Sequence, residues 1–299
     1  MSILVVGSIA LDTVETPRGK VNDSPGGSAL YFSAAASFFA PVNVVGVVGE
    51  DFDFSWIEFL KQRQVDLKGL KVEKGATFRW GGRYHSDMNQ RDTLFTYLNV
   101  FEKFNPDIPE NYRNCEYIFL ANIDPELQLN VLNSVENPTL TVLDTMNFWI
   151  SGKREALDEV ISRVDVLILN DEEIRELTGI RHVHVAAREL LKRGPKVLVV
   201  KKGEHGAVMV SQDDYFFAPA YPVEEVVDPT GAGDSFAGGF VGYLARQKQL
   251  NSTAFRKAVI YGTTIASFNV ESFSFERLKN LQPQEIDQRV ERLREMTRF

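Results

Sequence analysis

Residues 226–248 read VVDPTGAGDSFAGGFVGYLARQK, and the fold turns on their centre, Asp228-Pro229-Thr230-Gly231-Ala232-Gly233-Asp234. A helical pattern follows directly, with Phe236, Phe240, Val241, Leu244 and Ala245 on one face. Three consecutive small residues at a helix start leave backbone N–H groups open to an approaching group, and the helix dipole places about half a positive charge there. That is an anion site, suited to a phosphoryl group in transit. Asp234 sits inside this positive nest, where a carboxylate is expected to keep a low pKa. Such a group orients a hydroxyl and accepts its proton late, as bond formation acidifies it. The purely structural alternative is a Gly-rich turn in which Asp228 or Thr230 caps the helix and Asp234 is a favourable first-turn charge.

Working outward, ILVVG (residues 3–7) reads as a buried strand. Gly26 and Gly27 lead into a small-residue helix over 28–39, stopped by Pro41. NVVGVVG (43–49) is a second strand, and FSWIEFLKQRQ (54–64) an amphipathic helix. EYIFLA, TLTVLD, DVLILN and KVLVVK then alternate with helical patterns, as βα units on a parallel sheet do. Three of these runs end in polar groups, Asp144, Asn170 and Lys201. Ligands of open α/β sheets gather at the carboxyl ends of strands, so these positions are candidates. Residues 76–100 break the rhythm: aromatic and polar in near alternation, with a turn-like HSDMNQRD at the centre. They read as a β-hairpin inserted on the α/β core as a lid. A lone hairpin is marginal in water, so support is expected from strands near 13–24, from a second subunit or from bound acceptor.

The 299 residues are 44% hydrophobic and 25% charged, which excludes disordered, collagenous and coiled-coil classes. A net charge of −8 argues against a nucleic-acid partner, while leaving room for a locally positive phosphate site. A single cysteine, Cys115, excludes an internal disulfide and fits a reducing, cytoplasmic compartment. The N-terminus lacks a signal-peptide pattern, and no apolar run is long enough to span a membrane. His182 and His184, two apart with no third ligand nearby, do not make a zinc site. There is no Walker-type phosphate loop, no Gly-x-Ser-x-Gly elbow and no GxGxxG after the first strand.

The string Asp228 to Val241 resembles the second signature of the ribokinase-like (PfkB-type) carbohydrate kinase family, including Gly238 and Gly239. Other segments fall in the family's order: Gly7 to Asp12, Gly26-Gly27, Asn170-Asp171-Glu172-Glu173 as its Asn-x-x-Glu, and Lys201 to Gly206 as its nucleotide-side turn. The resemblance implies a three-layer α/β sandwich with a mostly parallel central sheet and a small β lid, spanning residues 1–299 as a single kinase domain. It implies Asp234 as catalytic base and Gly231, Ala232 and Gly233 as the anion hole. Asp12, Gly26 and Gly27 would hold acceptor hydroxyls. Asn170, Lys201, Gly203 and Gly206 would lie along ATP, and Glu173 would act on Mg²⁺. A monovalent cation such as K⁺ would sit at Asp228 and the Thr230 carbonyl. One departure stands out: where the family's first signature has an asparagine that binds a sugar hydroxyl, this chain has Tyr31.

The expected reaction is transfer of the γ-phosphoryl group of ATP to a hydroxyl of a sugar. A nucleoside acceptor is the alternative within the fold, favoured by Tyr31 and the aromatic lid. A non-catalytic sugar- or nucleotide-sensing protein is the alternative outside catalysis, opposed by the intact Asp234. A homodimer through the lid is a further expectation.

Overall fold

The computed structural model describes residues 1–298. Along the chain, β1 (Ile3–Val6), β2 (Ala10–Thr16) and β3 (Gly19–Gly26) precede α1 (Ser28–Ala36). Then come β4 (Val42–Gly49), α2 (Glu58–Gln62), β5 (Val65–Glu73), β6 (Phe78–Tyr84) and β7 (Arg91–Tyr97). The βα alternation follows as β8 (Tyr117–Leu120), α3 (Pro125–Ser134), β9 (Leu140–Asp144), α4 (Asn147–Gly152) and α5 (Arg154–Arg163). It continues through β10 (Val166–Asn170), α6 (Asp171–Thr178), α7 (Val183–Leu191), β11 (Val197–Lys201), β12 (Ala207–Ser211) and β13 (Tyr215–Ala218). Four helices close the chain: α8 (Ala232–Ala245), α9 (Ser252–Asn269), α10 (Glu276–Asn280) and α11 (Pro283–Met296).

Nine strands form one sheet in the order β13-β12-β11-β10-β9-β8-β1-β4-β5. From β11 to β5 every pair is parallel, and β12 and β13 add an antiparallel edge. The inner strands are largely apolar because both their faces are covered. Along β1, Ile3 and Val5 enter the core under α1, α8 and α9, while Leu4 and Val6 enter the core under α3, α5, α6 and α7. That alternation makes the expected three layers. Helices α1 and α8 approach closely because Gly238 has no side chain. A Cβ there would stand 2.4 Å from the Phe32 carbonyl oxygen.

Four strands form a separate lid sheet in the order β3-β2-β6-β7. The hairpin expected within 76–100 is β6–β7, and β2–β3 supplies the support it needs, with β2 parallel to β6. The stretch 54–64 is less regular than its pattern suggests. Asp53 accepts from the Ser55 N–H at 2.8 Å, and the first turn winds as a 3₁₀ helix over Phe54–Ile57 before α2 begins. Strands β5 and β13 and the short α4 were not foreseen. Both strands are largely exposed edges of the sheet; β5 carries a mixed polar pattern, and β13, though aromatic, is only four residues long.

Candidate active site

The phosphate-type loop forms as its sequence suggests, with a different cap. Gly231, not Asp228 or Thr230, is the N-cap of α8, and it adopts a left-handed φ of 73°. Tyr31 explains why no other residue serves there: a Cβ on Gly231 would lie 2.2 Å from the tyrosine ring. Asp228, fully buried, instead pins the loop from below. Its Oδ1 accepts from the Thr230 N–H at 2.8 Å and its Oδ2 from the Ser274 N–H at 3.3 Å. The Thr230 carbonyl accepts from Asn269 Nδ2 at 2.8 Å, and Thr230 Oγ1 donates to the Tyr84 hydroxyl at 3.2 Å. No side chain caps α8. Ala232 N–H is taken by the Pro229 carbonyl at 3.2 Å, whereas the N–H groups of Gly231 and Gly233 find no acceptor among the described residues. Two open donors on a positive helix end have the chemistry to bind an anion.

Asp234 follows in the first turn of α8. Its pKa is not low, as the sequence led us to expect, but raised to about 7. Burial dominates, the Asp144 charge adds to it, and Lys201 only partly offsets both. A helix dipole is worth roughly 1 kcal/mol, less than the cost of burying a carboxylate. Lys201, at the end of β11, holds Asp144, at the end of β9, with Nζ to Oδ1 at 3.3 Å. Burial works against the lysine's charge, yet Asp144, Glu173 and Asp234 together hold its pKa above the ordinary value. The strand-end rule had singled out Asp144 without giving it a place in the site; its partner shows that place. Lys201 also lies against the loop, Nζ 3.0 Å from where Gly233 would carry a side chain.

Asn170 and Glu173 make a capping box at the start of α6. Asn170 Oδ1 accepts from the N–H groups of Glu172 and Glu173 at 2.9 and 2.8 Å, and Glu173 Oε2 accepts from the Asn170 N–H at 2.7 Å. Burial pushes Glu173 up to about 7, with Lys201 lowering it and Asp144 raising it. One Glu173 oxygen remains free of the cap, on a buried carboxylate short of positive charge. That suits a cation held mainly by phosphates, since Mg²⁺ typically takes one or two protein carboxylates. Among the described residues no cluster of three or more His, Cys, Asp or Glu is spaced to hold a metal by itself. Gly203 and Gly206 close the turn after β11, the Gly206 N–H donating to the Gly203 carbonyl at 3.0 Å.

Asp12, on β2, faces the other side of the loop. It is 4% exposed, and its Oδ2 lies 2.0 Å from where Gly26 would carry a side chain. Burial raises its pKa to about 8, with a further push from Asp228 and an opposing pull from the Gly27 N–H. Tyr31 is equally buried, its ring edge-on to Phe275 with centroids 5.8 Å apart. It walls this side of the loop. These contacts bring Tyr31 and Lys201 against the Gly231–Asp234 loop, with Asp12 and Gly26 beside Tyr31 on one flank, and Asp144, Asn170 and Glu173 beside Lys201 on the other.

Over residues 2–277 the sequence matches the pfkB family carbohydrate kinase. The chain belongs to that family. It is 33% identical over 256 residues to a cytidine kinase of Thermococcus kodakarensis, covering 84% of this chain and 91% of the relative. It is 29% identical over 295 residues to a deoxyribokinase of Salmonella typhi, covering 90% and 92%. The crystal structure of the nucleoside kinase of Methanocaldococcus jannaschii superposes with a TM-score of 0.78 at 22% identity, covering 97% of this chain and 98% of the other. The pfkB membership makes this chain an ATP-dependent phosphotransferase with an alcohol acceptor. ATP and Mg²⁺ are typical of the family. No helix among the described residues is long and apolar enough to cross a membrane.

Sequence reasoning foresaw an aromatic lid but not which of its aromatics face the site. Trp80 pairs in register with Asp12, and Tyr84 reaches Thr230. Both were visible as hairpin aromatics, but only the strand register says which face they occupy. Asn269 and Ser274, which fix the loop from the end of α9 and beyond, carried no sequence signal.

Proposed function

We propose that the acceptor is a nucleoside, phosphorylated on a hydroxyl of its ribose. The observation that carries this reading is Trp80. Its half-buried ring lies on the inner face of the lid, in register with Asp12. A base needs a stacking surface and a free sugar does not. The 33% identity to a cytidine kinase supports the same choice. A ribose hydroxyl is itself a sugar hydroxyl, so the sugar and nucleoside readings differ only in whether a base must also be housed.

In this reading the whole chain works as one kinase unit, and the lid sheet closes over the acceptor. Asp12 and the backbone at Gly26 and Gly27 hold the ribose hydroxyls, while Tyr31 shapes the wall against which the sugar rests. Asn170, Lys201, Gly203 and Gly206 line the ATP side. Asp234 takes the proton of the attacking hydroxyl; a base raised to about 7 is well matched to neutral pH. The open N–H groups of Gly231 and Gly233 meet the charge on the transferred group, with Ala232 keeping the turn. Glu173 would help hold Mg²⁺, which would supply neutralisation of phosphate charge when ATP is bound. Lid closure excludes water and limits wasteful hydrolysis of ATP.

The test is a panel of sugars and nucleosides with ATP and Mg²⁺, read as ADP release. Nucleosides should exceed ribose and deoxyribose in kcat/KM by at least about tenfold, since a stacked base contributes on the order of 1–3 kcal/mol. Preference for a free sugar would refute the acceptor.

Two further proposals concern the surroundings. A monovalent cation beside Asp228 fits a buried carboxylate, raised to about 6 by burial, that has no cationic side chain against it among the described residues. Equal turnover in potassium and choline chlorides would refute it. A homodimer through the lid fits β7, an open sheet edge with Leu94, Tyr97 and Leu98 exposed nearby. A monomeric mass in solution would refute that. A cytoplasmic location remains part of the same reading.

A further inference from the structure

The charged residues of the lid sheet divide between its two faces. On the outer face, Arg79 pairs with Asp23 at 3.1 Å and Asp51 at 2.8 Å, and Arg83 with Glu15 at 3.0 Å. Those cations are matched. Arg91, the first residue of β7, is exposed, and among the described residues no carboxylate lies within ion-pair distance of it. It stands directly across from Tyr84 in the β6–β7 register.

Tyr84 decides which way this pair faces, because its hydroxyl accepts from Thr230 in the anion loop. Trp80 lies on the same face: its ring covers Gly82, where a Cβ would meet it at 2.1 Å. The Arg91 guanidinium carbon is 5.4 Å from the centroid of that ring. This cation–π contact, together with a hydrogen bond from the guanidinium to the Tyr84 hydroxyl, places Arg91 on the inner face and leaves others of its five N–H donors open. Just before Arg91 the hairpin tip reaches the nucleotide-side turn, with Asn89 Oδ1 3.0 Å from where Gly203 would carry a side chain. Arg91 therefore sits between two lid contacts, one on the anion loop and one on the nucleotide turn. Its charge favours the ionised forms of Asp234 and Glu173. Asp12, on the acceptor flank, is governed by burial and by Asp228.

We propose that Arg91 is a catalytic residue brought by the lid, its guanidinium binding the phosphoryl group as it passes from nucleotide to acceptor. The inference rests on the kinase reading above. In the transfer, a bond forms between the acceptor oxygen and the γ-phosphorus while the bond to the β,γ-bridging oxygen breaks. The electron pair leaves with ADP, and the acceptor proton goes to Asp234. Arg91 exchanges no proton. Its planar fork of N–H donors matches two phosphate oxygens, whose charge is spread in the loose transition state. The loop N–H groups approach from the end of α8, Lys201 from the end of the sheet, and Arg91 from above. Full stabilisation then requires a closed lid, which ties catalysis to acceptor binding.

The test uses the full-length protein with ATP, Mg²⁺ and cytidine, ribose and deoxyribose as acceptors, together with ADP plus aluminium fluoride as a transferring-phosphoryl mimic. Arg91→Gln should lower kcat by about 10²–10³-fold, as loss of one preorganised transition-state donor does, while KM for ATP and acceptor shift by less than about threefold. Its affinity for ADP with aluminium fluoride should fall by a similar factor, with affinity for ADP alone retained. Arg91→Lys should recover part of the rate, keeping the charge without the fork. Arg83→Gln, on the outer face, should turn over like the parent. The proposal is overturned if Arg91→Gln keeps the parental kcat, if only the acceptor KM rises, or if fluoride-complex affinity is unchanged. If the parent itself phosphorylates none of the acceptors and does not bind the fluoride complex more tightly than ADP, the kinase reading fails first. An active parent with an indifferent Arg91 overturns this inference alone.

Discussion

Replacing Asp12 by asparagine should flatten the pH dependence of stability in the ligand-free protein. Asp12 is 4% exposed, and burial raises its pKa from 3.8 to about 8. The folded chain therefore holds this proton up to about pH 8, while the unfolded chain releases it near pH 4. The group's contribution is fully present below pH 4 and is lost as pH rises through 8. Each pH unit inside that window is worth about 1.4 kcal/mol, so pH 5 to 8 withdraws on the order of 4 kcal/mol. For a chain this long, roughly 2 °C of melting temperature accompanies each kcal/mol, giving a fall of about 8 °C from Asp12 alone. Asp228, Asp234 and Glu173 are raised as well and add to the slope, but they remain in the variant. The difference between parent and Asp12→Asn thus isolates Asp12. Asparagine mimics the protonated acid, so the two proteins should melt alike at pH 5, and the variant should be the more stable at pH 9. Urea denaturation or calorimetry across pH 4–9 measures this. Parallel curves, or a variant less stable than the parent at pH 9, would refute the claim that Asp12 is a desolvated carboxylate awaiting hydroxyl donors.

Asp234→Asn should retain nucleotide binding and lower kcat by about 10²–10⁴-fold, the usual worth of a positioned general base. In the parent, kcat/KM should fall about tenfold per pH unit below pH 7, where this carboxyl becomes protonated; a flat profile down to pH 5 would assign the proton to another group. Glu173→Gln should raise the Mg²⁺ concentration needed for half-maximal rate and leave the melting temperature nearly unchanged, because glutamine also completes a capping box. A large loss of stability with unaltered Mg²⁺ dependence would return Glu173 to a structural role. Gly231→Ala should cost about 1–2 kcal/mol for its left-handed backbone, and more because Tyr31 occupies the side-chain position. Parental stability and turnover in that variant would show that the loop is not held where we describe it.

The parallel sheet, its helices and the loop before α8 were legible in the sequence because they depend on local signals. Apolar runs such as ILVVG and DVLILN leave no choice but a buried strand, and Gly231-Ala232-Gly233 before an apolar helical face marks an open helix start. The capping box of Asn170 and Glu173 is likewise local, being three residues apart on one turn. What the tertiary structure decided is everything that depends on desolvation and on register. A sequence shows Asp234 beside a helix dipole but not that the surrounding protein and Asp144 outweigh it, so the expected low pKa became one near 7. Asp144 and Lys201 are separated by an entire strand-helix succession and meet only because β9, β10 and β11 lie in parallel order. Arg91 reads as one more scattered cation until the β6–β7 pairing sets it opposite Tyr84, and β2–β6 sets that face over Asp12. Side chains alternate across a strand with a period of two, so a shift of one residue would have put the same arginine on the outer face of the lid.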